Sequence, residues 1–395
     1  MSKGVIPDLP VLIIGAGVAG LTLAQGLRLR SIPFRLFERY PLRSSQGHRF
    51  RISKDGQAAL SSVLSPRLQN LLRRTAPEGN RFEPRYIDAK QLIYPAPKPT
   101  PAVPESMPVD RTWIRMLTSL DIQDAIEYEK EFESYEVVDE LVRVKFTDGS
   151  VALGQLLVGA DGLRSRVRKQ LQPDRKLLDL ERHVLWGRTP LTEELKRELP
   201  EDLLSWCMYR DEESNVQMVV EPMVWSKSVQ QASESRLPDF SDYVYWVVCT
   251  ASQSQRLPKT AEEKKLFLDR ATRAWHPSLK LLLDSAAHEL SACIPVISSK
   301  PDIEIRSACQ TGRVTLIGDA AHVMSPMGGS GGDTAVRSAA DLARTIAEEG
   351  VTKASLAEFE ARMEARAKER IEHSFRGGQK FWRGKEWDEY SEIDV

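Results

Sequence analysis

At 395 residues the chain is longer than one hydrophobic core usually serves, which predicts two lobes with room for a ligand between them. Its 55 basic and 56 acidic residues leave a formal net charge of −1, which excludes the electrostatic footprint of a nucleic-acid or anionic-membrane binder and favours a small-molecule partner. Four cysteines, Cys207, Cys249, Cys293 and Cys309, stand far apart without a CxxC pair, so neither a metal site nor a disulfide framework is expected and a reducing, cytoplasmic location is the simplest. The N-terminus lacks the features of a signal peptide, and no window approaches the roughly 18 apolar residues of a membrane span. The sequence leaves the oligomeric state open.

In chain order, the apolar run 10–14 reads as a buried parallel strand, the stretch 20–27 as a helix with Leu23 and Leu27 one turn apart, and 34–38 as a second strand. This is a βαβ unit. Six prolines between 95 and 108 predict an extended surface connection rather than a helix or central strand. The runs 216–223 and 243–249, rich in β-branched and aromatic residues and separated by polar turns, predict an antiparallel sheet. After Arg313 comes another buried strand, 314–317, and then a long helical pattern over 333–370. Strand and helix at both ends with a β-rich middle imply an α/β protein. Its Rossmann-like dinucleotide domain is assembled from residues 1–80, 105–180 and 300–345. A mostly antiparallel β-sheet substrate domain from 81–104 and 181–299 interleaves with it, and 346–395 form a C-terminal helical segment.

Three motifs carry the chemistry. In Gly15-Ala16-Gly17-Val18-Ala19-Gly20, the first glycine permits the tight turn, Gly17 lets backbone approach a pyrophosphate, and Gly20 lets helix and strand pack closely. The helix N-terminus then faces the phosphates, and Glu38, followed by Arg39, stands about 20 residues on, where a carboxylate accepts ribose hydroxyls. The second motif is Gly159-Ala160-Asp161-Gly162, with Ser165 placed to cap a basic helix. The third is Gly318-Asp319-Ala320-Ala321-His322, then Pro326 and Gly328-Gly329-Ser330-Gly331-Gly332. There a strand delivers Asp319 at its carboxyl end, and glycines let backbone amides crowd a ligand at a helix's positive end. His322 and His276 read as structural.

The order of these motifs resembles the group A flavin monooxygenases, the para-hydroxybenzoate hydroxylase-like family, over about residues 10 to 375. The fungal secondary-metabolism type is the expected branch. The resemblance implies FAD, with the first motif at the ADP half, Asp319 at the ribityl chain, and Asp161 and Gly162 shared between FAD and NAD(P)H. It further implies that Arg111 and Arg51 approach the cofactor, together with Pro326, Gly329, Gly331 and Gly332. The implied reaction uses NADPH or NADH and O2 to insert one oxygen atom into an aromatic or polyketide-like small molecule through a flavin C4a-hydroperoxide. Epoxidation, Baeyer–Villiger insertion and a non-oxygenating flavin sensor remain alternatives on the same scaffold. Arg188, Tyr209 and Arg210 are the candidates for anchoring or deprotonating a phenol. The chain departs from the family at Asp333 and Ser338; a carboxylate at 333 near the isoalloxazine disfavours reduced flavin unless it turns away or is protonated.

Overall fold

A computed structural model describes residues 9–41, 49–79, 83–99, 106–251, 256–305 and 312–395. A five-stranded parallel sheet runs in the order Val314–Leu316, Leu156–Gly159, Val11–Ile14, Phe34–Glu38, Ile126–Tyr128. Val11, Leu12, Ile13, Leu156, Leu157, Val158 and Val314 are wholly buried, as the short continuous apolar runs require of strands covered on both faces. Ile14 pairs with Gly159 and Gly159 with Leu316, so the ends of three strands far apart in sequence lie side by side. Helix Val18–Leu29 covers one face and packs against helix Gly331–Glu349; a Cβ on Gly26 would come 2.5 Å from that of Ala343.

The second sheet has six strands in the order Ala292–Ser298, Leu177–Pro190, Tyr243–Ala251, Val216–Met223, Cys207–Asp211, Arg85–Asp88, with Ser391–Ile393 added beside Leu177–Pro190. Period-two alternation divides it into two faces. Tyr209, Met218, Val220 and Trp246 point to helices Ala261–Ala271 and Pro277–Asp284, where they form a separate core with Leu268, Leu279 and Leu282. Trp186, Met208, Val219 and Val247 pack instead against the core that includes the parallel sheet. A two-stranded ribbon, Arg49–Ser53 with Ser106–Asp110, supplies side chains to this second interface.

Two expectations from sequence change. Pro108 lies in the ribbon, opposite Arg51, because a strand with one partner leaves an edge on which a missing N–H costs nothing. The helical pattern over 333–370 is two helices, Gly331–Glu349 and Lys353–Trp382. Gly350, at φ +74°, ends the first, and Thr352 starts the second in a reciprocal cap with Ser355. The chain then leaves that helix and finishes as a strand of the large sheet. His276 caps helix Pro277–Asp284, its ring accepting the Ser278 N–H at 3.2 Å. Among the described residues no helix is long and apolar enough to cross a membrane.

Candidate flavin site

The three motifs meet at the carboxyl ends of the parallel strands. Gly15 takes φ +106°, and a Cβ there would lie 2.5 Å from the Ala160 carbonyl oxygen, so the first turn rests directly on the second motif. Gly318, at φ +62°, would place a Cβ 2.9 Å from that of Ala19, which seats the third motif on the first helix. A Cβ on Gly20 would stand 2.0 Å from the Gly15 carbonyl oxygen. At Gly17, Gly162 and Gly329, by contrast, a Cβ would meet no atom of the described residues within 4 Å. Some glycines therefore close the fold, and others leave bare backbone facing open space. This is what a phosphate-bearing ligand needs.

Around that space stand charged groups with unequal engagement. Glu38 is buried and accepts the N–H groups of Ala16 at 2.8 Å and Tyr40 at 3.0 Å, which fixes it at the rim of the glycine turn. Arg39 is exposed, its guanidinium 4.7 Å from the Tyr40 ring. Arg111 begins helix Arg111–Ser119 and has a buried Nε without a hydrogen-bond partner. Burial lowers its pKa against the opposing field of Asp319. The Asp319 carboxylate is itself open to the cleft, though protein crowds its other sides; that crowding raises its pKa, with Arg111 and Arg168 pulling it down. Helix Gly331–Glu349 starts at Ser330 with no side-chain cap, so the Ser330 side chain leaves its first N–H groups unsatisfied. Unpartnered donors, an open carboxylate and bare glycine backbone fit a flavin dinucleotide: Gly15, Gly17 and Glu38 for its ADP half, Asp319 and Arg111 for the polyol, and the 329–332 backbone for the ring.

Other predicted residues are placed differently. The Asp161 carboxylate accepts Ser165 Oγ at 2.6 Å and the Arg166 N–H at 2.8 Å, capping helix Arg166–Leu171 rather than pointing into the cleft. Arg51 is a correction: strand alternation turns it to the large sheet, where Nε donates to Ser106 Oγ at 2.8 Å, another nitrogen pairs with Glu221, and the guanidinium stacks 4.3 Å from Trp206. Tyr209 is a second correction, because it lies on the far face with its hydroxyl 3.0 Å from that of Tyr94, wholly buried. Arg210 shares the inner face but reaches the end of the last helix, donating to the Lys380 carbonyl at 3.0 Å. Arg188 alone of the three stands beside the ribbon, 4.4 Å over the Tyr243 ring and 3.8 Å from Asp110. Asp333 turns away from the cleft to Ser53, accepting its N–H and its hydroxyl, each at 2.7 Å. His322 is fully buried beside Ser338, 3.1 Å away, and burial lowers its pKa to about 3.

Sequence reasoning missed two arginines. Arg168 donates to the Leu163 carbonyl at 2.6 Å and reaches the Ala320 carbonyl at 3.4 Å, tying the second motif to the third. Arg115 Nε donates to the Ala16 carbonyl at 3.1 Å. The run of basic residues at 164–168 was the available signal for the first; nothing local marks the second.

Residues 115–374 match the model of the FAD binding domain family. The chain is 32% identical to a dual O-methyltransferase/FAD-dependent monooxygenase, CTB3, of Cercospora beticola, over 99% of this chain and 48% of that protein. It is 29% identical to the FAD-dependent monooxygenase thnD of Trichoderma harzianum, over 85% of this chain and 82% of the relative. A solved Photorhabdus luminescens structure described as an FAD containing monooxygenase superposes with a TM-score of 0.80 at 26% identity, covering 95% of this chain and 99% of that one. The chain spans about half the length of the first of these relatives.

Proposed function

Because the chain belongs to the FAD binding domain family and resembles proteins named as FAD-dependent monooxygenases, we propose that it uses NAD(P)H and O2 to place one oxygen atom on an aromatic or polyketide-like small molecule. The observation that carries this is the convergence of the three motifs on one cleft edged by open glycine backbone, the Arg111 guanidinium and the Asp319 carboxylate. When bound, the flavin supplies the redox and oxygen-activating chemistry. The chain's own residues bind and orient it. Asp319 and Arg111 hold the polyol, the glycine turn takes the phosphates, and the N–H groups at the start of helix Gly331–Glu349 stabilise negative charge on the ring. The inner face of the large sheet closes the cleft and excludes water. The relatives CTB3 and thnD, both named as FAD-dependent monooxygenases, support the reaction type. A cytosol that keeps thiols reduced and supplies NAD(P)H suits Cys207, Cys249 and Cys293, all free.

The test is direct. Purified protein should be yellow, release FAD on denaturation, and oxidise NAD(P)H faster with a phenol or polyketide from a panel, yielding a product one oxygen heavier that carries label from isotopic O2. Protein that neither retains nor rebinds FAD overturns the proposal, as does label arriving from water.

A further inference from the structure

Glycine weakens the interior of a helix, yet Lys353–Trp382 carries two in succession, Gly377 and Gly378, just before its last turn. Each is explained by a close approach. A Cβ on Gly378 would come 2.9 Å from the indole nitrogen of Trp382 in the same helix. A Cβ on Gly377 would come 2.8 Å from the carbonyl oxygen of Met327 and 3.2 Å from its carbonyl carbon, so here the helix rests on the backbone of the third motif. The contact continues one turn earlier, where a Cβ on Gly328 would lie 3.2 Å from Ser374 Cβ and 3.3 Å from its Cα; the exposed His373 ring, also 3.2 Å away, can swing aside.

The loop so touched leads to the open glycine backbone. Met327 and Gly328 lie in the single turn Pro326–Gly328, which the Gly329 N–H closes on the Pro326 carbonyl at 2.9 Å, and Ser330 Oγ donates to the Gly328 carbonyl at 2.8 Å. A shift at Met327 is therefore passed on to Gly329 and to the first N–H groups of helix Gly331–Glu349. The last helix, for its part, cannot retreat. Side chains of the large sheet hold its end: Arg182 and Asn215 donate to the Trp382 carbonyl, the second at 3.3 Å, and Arg210 donates to that of Lys380 at 3.0 Å, while Phe375 and Trp382 are buried in the core. We propose that Gly377 is a positioning residue for the flavin ring, letting the last helix seat the Met327 carbonyl and so register the ring-holding backbone 329–332 against the large sheet. This deepens the proposed function and rests on it. The strength with which those N–H groups meet negative charge depends steeply on distance and angle, so the contact sets how well reduced flavin is held relative to oxidised.

The test equilibrates the FAD-loaded parent and Gly377→Ala with a reference dye, which reads the ratio of affinities for reduced and oxidised FAD. The ratio changes by at least about threefold, less than the roughly tenfold that loss of a whole charge-assisted hydrogen bond costs. A smaller change overturns the proposal. Gly328 has no positive φ, so Gly328→Ala presses on the same contact from the side of the loop and shifts the ratio the same way. In a Ser374→Gly background, which lacks the carbon that the new methyl group meets, the same substitution shifts it less. An effect of Gly328→Ala that is equal in the two backgrounds overturns the proposal, also where Gly377→Ala fails to fold. Parent protein that holds no FAD refutes the monooxygenase reading instead. The contact is then read by hydrogen exchange at the amides of 329–332, altered in Gly377→Ala if the helix positions them and unchanged if it does not.

Discussion

Replacing Gly17 by alanine should separate cofactor binding from folding. Gly17 caps helix Val18–Leu29 at φ −76° and ψ −176°, an extended conformation that alanine adopts freely, and its Cβ would meet no protein atom within 4 Å. Alanine is a poorer N-cap than glycine, but it also restricts the unfolded chain; the two effects oppose, leaving a net change within about 1 kcal/mol. The open space is where the motif brings a pyrophosphate against backbone, so a methyl group there displaces one or two charge-assisted hydrogen bonds. At about 1.5–3 kcal/mol each, their loss weakens FAD by about tenfold to a hundredfold or more. Gly20 is the contrast, because its Cβ would stand 2.0 Å from the Gly15 carbonyl oxygen, a backbone atom that cannot swing aside. Gly20→Ala should destabilise even the flavin-free protein by about 1–3 kcal/mol. Denaturant unfolding of flavin-stripped protein and FAD titration by fluorescence quenching measure the two quantities. If Gly17→Ala binds FAD as the parent does, or destabilises the flavin-free protein as much as Gly20→Ala, the assignment of the open space is wrong.

Asp333→Asn should cost about 0.5–1 kcal/mol in unfolding experiments, because the charge lies at the N-terminus of helix Lys54–Val63, and should leave the flavin potential where it was. For His322 the folded pKa, about 3, lies below the unfolded value near 6.5, so its contribution is complete above that value and falls as the pH drops through it. Comparing the pH slope of stability in parent and His322→Gln between about pH 6.5 and pH 5 should show a loss approaching about 1.4 kcal/mol per unit, present only in the parent. Tyr209→Phe should lower stability by about 1 kcal/mol and leave steady-state turnover unchanged, since its hydroxyl lies on the far face beside that of Tyr94. A marked fall in turnover would restore Tyr209 to the site.

The cleft was legible where function depends on backbone. Gly15, Gly20 and Gly318 leave a trace in the sequence because only glycine tolerates their φ angles or approaches, and the strands before them are short apolar runs that read the same from either end. Alternation puts Tyr245 and Trp246 on opposite faces of their strand, and likewise Arg210 and Tyr209. It could not say which face looks inward, since both are apolar and aromatic: one rests on helices Ala261–Ala271 and Pro277–Asp284, the other on the flavin domain. Arg51 shows the limit most sharply. Its partner Glu221 lies 170 positions away, and nothing in Arg49-Phe50-Arg51-Ile52 signals a shared buried carboxylate. The break at Gly350 was a different failure, because a glycine followed by Thr352 and Ser355 is a local stop and start signal that the Ala, Glu and Arg richness on either side obscured.

Two carboxylates presented by nearly the same Gly-Asp pattern show how context decides a residue's use. Asp161, two residues after Gly159, and Asp319, directly after Gly318, both stand just past the carboxyl end of a parallel strand, and crowding raises the pKa of each. Asp161 meets that cost locally, because Ser165 Oγ and the N–H groups of Arg166 and Val167 occupy its oxygens at the start of a helix. Asp319 has no such donors: its helix is a single turn, Asp319–His322, and the compensating charges of Arg111 and Arg168 act on it without a hydrogen bond among the described residues. An ionised carboxylate with accepting positions open to a cleft is stabilised most by hydroxyl donors brought from outside, and a polyol carries several in a row. A similar sequence signal thus yields one aspartate whose oxygens are occupied locally and one whose carboxylate stays exposed. The difference is set by Ser165, four residues beyond Asp161, where the third motif has Val323.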